Sequence, residues 1–236
     1  MFVEQAFLDV SSGGYIYRCD HRIMEGDCQV DHGPRFAEIP ALQVQKYPVT
    51  NHMYACFLKE SGYHPADKGN FLTHFENGIF PLGMENHPVV WVSYLDALAY
   101  AHFYGLRLPT DEEWQYLAAG PQKRRWPWGN DAEPDEKKGN IGGGILTPVN
   151  TYPQGASPFG IFDMCGNAYE MMGPMHDDGM HRFLLLRGGS CYKAPHFWHA
   201  EGGPQPNDAH LKMPLLNEAL NRSGFVGFRC VREVRA

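Results

Sequence analysis

Apolar residues along this chain come in short bursts punctuated by glycine and proline, with few long periodic runs. Five bursts have the length and composition of strands: Ala6–Val10, Tyr15–Cys19, Leu42–Tyr47, Phe183–Arg187 and Phe225–Val231. Three stretches, all in the first half, carry helical spacing. Thr50 caps the first, with Met53, Phe57 and Leu58 on one face and Gly62 as its stop. Ser93 caps the second, for which the spacing predicts a buried stripe of Leu95, Leu98, Ala99 and His102 ending at Gly105. Thr110 and Glu113 form a capping box for the third, followed by Trp114, Tyr116 and Leu117. From Pro121 to Gly179 the pattern reads as turns, which inside a compact domain marks loops that are functional or tightly tied down. Later, Leu215, Leu216 and Leu220 recur at helical spacing after Pro214, predicting a lid, a partner-binding helix or an extra packed helix. The expected class is α+β with irregular structure dominating.

Composition adds boundaries. The 236 residues include 26 glycines and 18 prolines spread along the chain, so they mark many turns within one domain, 1–236, and no linker. No apolar run reaches the roughly 18–20 residues of a membrane span, and no basic region precedes an apolar stretch at the start. A net charge of −7 argues against nucleic-acid binding, because phosphates need basic neutralisation. Six scattered cysteines contain no CxxC pair, which argues against a thiolate zinc site. Together these features lead to an expectation of a reduced, cytoplasmic protein.

Five ordered strings narrow the picture: HPVVWVSYLDALAYAHFYGLRLPTDEEWQYLAAG (His87–Gly120) running into WPWGN, then FGIFDMCGNAYEM (Phe159–Met171), LRGGS (Leu186–Ser190) and GFVGFRC (Gly224–Cys230). With PVTNHMYACFLKESGY (Pro48–Tyr63), their order and spacing resemble the formylglycine-generating enzyme, or sulfatase-modifying factor, family. The resemblance implies a single elaborated C-type-lectin-like domain with low regular secondary structure, short strands, two or three helices, and terminal strands near one another. Locally, Arg107 in RLPT is placed to anchor a carboxylate beside the capped helix, and the glycines of RGGS allow close backbone approach.

In the copper-dependent members two cysteines follow the GGS turn. Their places are held here by Lys193 and Trp198, and Cys191 alone cannot provide the bis-thiolate that Cu(I) favours. Cys191 is a candidate catalytic thiol or a small buried hydrophobe. The segment instead carries His196, His199 and Glu201, two imidazoles and a carboxylate, the donor types of a non-haem iron site that also suit zinc; their other reading is hydrogen-bonded pocket histidines. His176 is the second candidate catalytic group, with Asp177 and Asp178 beside it as candidate orienting carboxylates. The resemblance also implies structural Ca2+ in the middle loops: Asn140 and Ile141 match the start of one site, and Gly160, Asp163 and Asn167 remain of a second in which Ser157 replaces an asparagine.

Three functions follow from these residues. The first is a divergent oxidoreductase acting on a small molecule or peptide through a transition metal, most simply Fe(II). The second is a non-catalytic ligand- or protein-binding module. The third is formylglycine generation through Cys191. The sequence expects neither nucleic acid nor membrane as a partner.

Overall fold

A computed structural model describes residues 2–19, 33–131, 133–177, 179–192 and 203–234. The first half holds β1 (Phe7–Val10), β2 (Gly13–Tyr17), β3 (Arg35–Ile39), β4 (Leu42–Gln45), α1 (Asn51–Ser61), α2 (Tyr94–Phe103) and α3 (Asp111–Ala119). The second half holds β5 (Tyr169–Met171), β6 (His176–Asp177), β7 (Arg182–Arg187), β8 (Gly189–Ser190), β9 (Gly203–Pro204), β10 (Leu211–Pro214), α4 (Glu218–Asn221), β11 (Val226–Gly227) and β12 (Val231–Glu233). The class is α+β, with short strands, as the pattern of bursts and turns requires. No described helix is long and apolar enough to cross a membrane.

β4 lies between β1 and β12, antiparallel to both, so the two terminal strands flank one neighbour instead of pairing with each other. A second sheet runs β10–β7–β5–β11, with β6 also on β7 and the β5–β11 contact parallel. β2 pairs with β3, and β8 with β9.

The three expected helices form with their expected caps. Thr50, Ser93 and Thr110 accept hydrogen bonds from the backbone N–H groups three residues on, and Gly62 ends α1 in the left-handed conformation. The buried stripe of α2 differs from the expected one. Asp96, Ala97, Tyr100 and Ala101 face inward, while Leu95 is 55% exposed and His102 is exposed. Asp96 explains the rotation: it completes the capping box on Ser93 and receives the fully buried Arg222 guanidinium at 2.9 Å. A charge so committed belongs inside, and the i, i+3, i+4 neighbours follow it.

Two more expectations are corrected. The Phe225–Val231 run splits into β11 and β12, with the fully buried Phe228, Arg229 and Cys230 between them. The helical spacing expected after Pro214 yields only α4, whose four residues include Leu220 but not Leu215 or Leu216, and Leu216 and Leu220 are largely exposed.

The interior forms two clusters. Tyr54, Phe57, Tyr100 and Phe228 centre one between α1 and α2, and Trp114 on α3 centres the other against β1, β2 and β4.

Candidate functional site

Three backbone segments converge at the end of β7. Gly166 N–H donates to Gly188 O at 2.8 Å, Asn167 N–H to Asn140 O at 2.8 Å, Cys191 N–H to Asn167 O at 2.9 Å, and Gly144 N–H to Cys191 O at 2.8 Å. This ties the 140–144 loop, the GN turn and the GGSC turn into one body. The asparagine side chains reinforce it. Asn140 Nδ2 donates to Ile145 O, Thr147 Oγ1 and Asn167 Oδ1, and Asn167 Nδ2 donates to Thr147 O and Asp163 Oδ2. Asn167 and Asp163 hold positive φ angles of 61° and 55°, backbone that asparagine and aspartate tolerate best after glycine.

Asp163 is buried, and its carboxylate has no ion-pair partner within salt-bridge range among the described residues. Burial pushes its pKa up to about 7, against the lowering influence of the Asn167 hydrogen bond and the more distant Arg229 charge.

The GGSC turn is held from its other side by β9. Ser190 is the register partner of Gly203, and Gly189 of Pro204. Gly189 is needed here: its φ is +78°, and a Cβ would collide with the Gly203 carbonyl oxygen. Past β9, Gln205 donates through Nε2 to the Tyr169 hydroxyl at 3.0 Å, and its carbonyl faces Cys165 Sγ at 3.7 Å. Gln205 Oε1 is a buried acceptor without a partner. At the rim, Tyr192 stacks on Phe225 with ring centroids 4.9 Å apart.

The candidate residues distribute as follows. Asn140, Ile141, Asp163, Asn167 and Cys191 come together in this body; Gly160 lies in the adjoining turn, its N–H on Ser157 O at 2.8 Å. Cys191 is fully buried, and burial pushes its thiol up to about 11, which keeps it protonated at neutral pH. His176 sits on β6 at the opposite end of β7, opposite Phe183 and stacked on its ring, about 13 Å of strand from Arg187 at roughly 3.3 Å per residue. The structure does not bring His176 and Cys191 together. Asp177 is exposed and accepts from Gly179 N–H. His196, His199, Glu201 and Asp178 lie outside the described residues. Among the described residues no three His, Cys, Asp or Glu side chains cluster as metal ligands would. Cysteines 56, 165, 191 and 230 are free thiols.

Beneath the site lie buried ion pairs that sequence reasoning missed. Glu170 receives Arg229 Nε at 2.7 Å and Nη2 at 2.5 Å, and also Trp114 Nε1 at 2.8 Å. Asp111 receives Arg187 Nε and Nη2 at 2.6 Å each and the Tyr17 hydroxyl at 2.5 Å, with His210 Nδ1 at 3.2 Å. Burial alone would raise the Asp111 pKa, but the Arg187 charge outweighs it and holds the carboxyl well below the usual range. The charged letters of the GNAYE, LRGGS and GFR strings were the available signal. Arg107, by contrast, behaves as its position implied, donating to both Glu113 oxygens at 2.7 Å.

The fold and this knot of turns define the class: an elaborated C-type-lectin-like domain, mostly loop, whose loops are locked by buried polar side chains. Three solved structures share the fold. They are CarF (TM-score 0.67, 18% identity, 98% of this chain and 99% of that one), PvdO from Pseudomonas aeruginosa (0.69, 20%, 97% and 94%) and variable protein 1 of Treponema denticola (0.68, 15%, 98% and 96%).

Residues 9–234 match the model of the sulfatase-modifying factor enzyme 1-like domain, and the chain belongs to that family. Its relatives include hercynine oxygenase of Mycolicibacterium thermoresistibile, 33% identical over 56% of this chain and 35% of that protein. The inactive C-alpha-formylglycine-generating enzyme 2 of Bos taurus is 32% identical over 61% of this chain and 49% of that protein. The uncharacterized protein YfmG of Bacillus subtilis is 25% identical over 83% of this chain and 47% of that protein. The chain thus spans about a third to a half of the length of these curated relatives.

Proposed function

We propose that this chain is an oxidoreductase of the sulfatase-modifying factor family that acts on a small molecule or peptide with a transition metal held by His196, His199 and Glu201. The observation that carries the proposal is the anchoring of both ends of segment 193–202. Tyr192 and Gly203, which flank the histidine-bearing stretch, both adjoin the body knotted by Asn140, Asn167 and the β8–β9 pair. Catalytic constellations need such support. The likeness to a protein named as an oxygenase supports the reaction class.

The donor chemistry fits Fe(II) or Zn(II) better than copper(I). The described thiols beside the anchor, Cys165 and Cys191, are buried, and burial pushes them up to about 12 and about 11, so neither offers a ready thiolate. Two imidazoles and a carboxylate select Fe(II) or Zn(II) over Cu(I). Bound iron would supply oxygen activation; the described residues contribute the frame, the aromatic rim of Tyr192 and Phe225, and the buried acceptor Gln205 Oε1. The test is oxygen uptake by Fe(II)-reconstituted protein across a panel of small thiols, amines and cysteine peptides. Uptake that depends on both iron and one substrate supports the proposal; none with any panel member counts against it.

A second reading, a non-catalytic binding module, is favoured by the likeness to an inactive relative. It predicts ligand binding with no oxygen consumption.

A further inference from the structure

On the α1–α2 side of the molecule, a cavity of about 480 Å3 has His52, Cys56, Tyr100 and Tyr104 in its lining, with Glu4 as its carboxylate. Its chemistry is uneven in an informative way. His52 and Cys56 are four residues apart on α1, so helix geometry stacks them on one face, with Nε2 of the imidazole 3.8 Å from the thiol Sγ. Phe2 stacks flat on the His52 ring at 4.2 Å and Phe80 meets it edge-on at 6.5 Å, which fixes the plane of the imidazole. Tyr100 is fully buried, yet its hydroxyl makes no hydrogen bond; the Gln45 side chain nearby, its Nε2 also unpartnered, does not reach it with bonding geometry. A buried hydroxyl left without a partner beside a cavity is a donor waiting for an acceptor.

Cys56 also differs from the other described cysteines. It is half-buried and opens on this cavity, whereas Cys19, Cys165, Cys191 and Cys230 are all buried. Burial raises every one of those four, Cys19 to about 11 and Cys165 to about 12, which leaves them poor nucleophiles.

We propose that Cys56 is a thiol-modification site that forms a mixed disulfide with a low-molecular-weight disulfide, with His52 as the base and the cavity as the seat of the adduct. The Cys56 thiol gives its proton to His52 Nε2, and the thiolate attacks one sulfur of R–S–S–R. The S–S bond breaks, Cys56–S–S–R forms, and the leaving RS⁻ takes the proton back from the imidazolium as RSH. The disulfide reagent is the oxidant, so electrons balance without any other co-reactant. The Tyr100 hydroxyl donates to a polar oxygen of the bound R group. Nothing in this site overlaps the anchored turn at Ser190–Gly203, so it stands or falls independently of the proposed oxidoreductase chemistry.

The experiment is intact-mass analysis and peptide mapping of the native chain after incubation with oxidised glutathione or cystine. One adduct per chain, mapped to Cys56 and absent from Cys56→Ser, is the expected result. His52→Gln slows adduct formation by about a hundredfold and removes the imidazole-dependent limb of its pH profile. Tyr100→Phe leaves the rate intact and weakens the adduct about fivefold against added thiol. An adduct on Cys28 or another cysteine with Cys56 left bare overturns the proposal, as does a His52→Gln variant whose rate and pH profile match the wild type.

Discussion

Ser190 and Gly203 face each other across the two-residue ladder of β8 and β9, so the described residues on either side of segment 193–202 lie side by side. Gly189 makes that closure sterically allowed. Replacing Gly189 with alanine forces a Cβ onto the Gly203 carbonyl at a backbone angle that L-residues avoid. The expected cost is about 2 kcal/mol or more, seen as a Tm several degrees lower in calorimetry. An unchanged Tm would show that the β8–β9 closure is not rigid.

Arg229→Met removes a guanidinium from a pair in which both partners are buried, stranding the Glu170 carboxylate beside Trp114. Loss of about 3–5 kcal/mol is expected in denaturant unfolding, since an uncompensated buried charge remains. Glu170→Gln with Arg229→Met together should recover part of the loss, because no lone charge is left.

His74 provides a pH signature. Burial lowers its pKa from 6.5 to about 4, while its Nε2 is hydrogen-bonded to Asn51 Oδ1 at 2.8 Å. The unfolded chain takes up this proton near pH 6.5 and the folded chain does so only near pH 4. Stability is therefore full above the unfolded value and falls as pH drops through this window. Unfolding of wild type and His74→Gln measured from pH 7 to 4 should show a shallower decline in the variant; parallel curves would remove His74 as the cause.

The helices were legible because their caps are local. Thr50, Ser93 and Thr110 announce themselves within three residues, and each bonds as expected. The face of α2 was not legible, because it is decided by Arg222, 126 residues away from Asp96. The same holds for Glu170 with Arg229, and for Asp111 with Arg187 and His210: charged letters read as surface until their distant partners are known. Of the three leucines after Pro214 only Leu220 lies in a helix, because the Leu215 N–H is drawn to Arg182 O and Asn217 caps α4 two residues later. At the site, the GGS turn and the GN turn were readable as close-approach motifs. The asparagine cross-links between them needed the fold.

The middle loops hold a buried Asp163 with amide partners but no ion pair among the described residues, a place where a cation would be welcome. If Ca2+ binds there, with Asn140, Ile141, Gly160 or Asn167 supplying oxygens, it stabilises only the native state, and millimolar calcium should raise Tm while a chelator lowers it. Tm values that coincide in calcium and in chelator would remove calcium from the picture.

The most direct measurement for the proposed oxidoreductase is bound metal per chain, determined on protein purified without chelator and reloaded anaerobically with Fe(II), Zn(II) or Cu(I). One equivalent of Fe(II) or Zn(II) in the wild type, lost in His199→Ala while the metal-free forms of the two proteins share nearly the same Tm, is the predicted result. Wild-type protein that stays metal-free under all three conditions, or a His199→Ala variant that keeps its full equivalent, would contradict it.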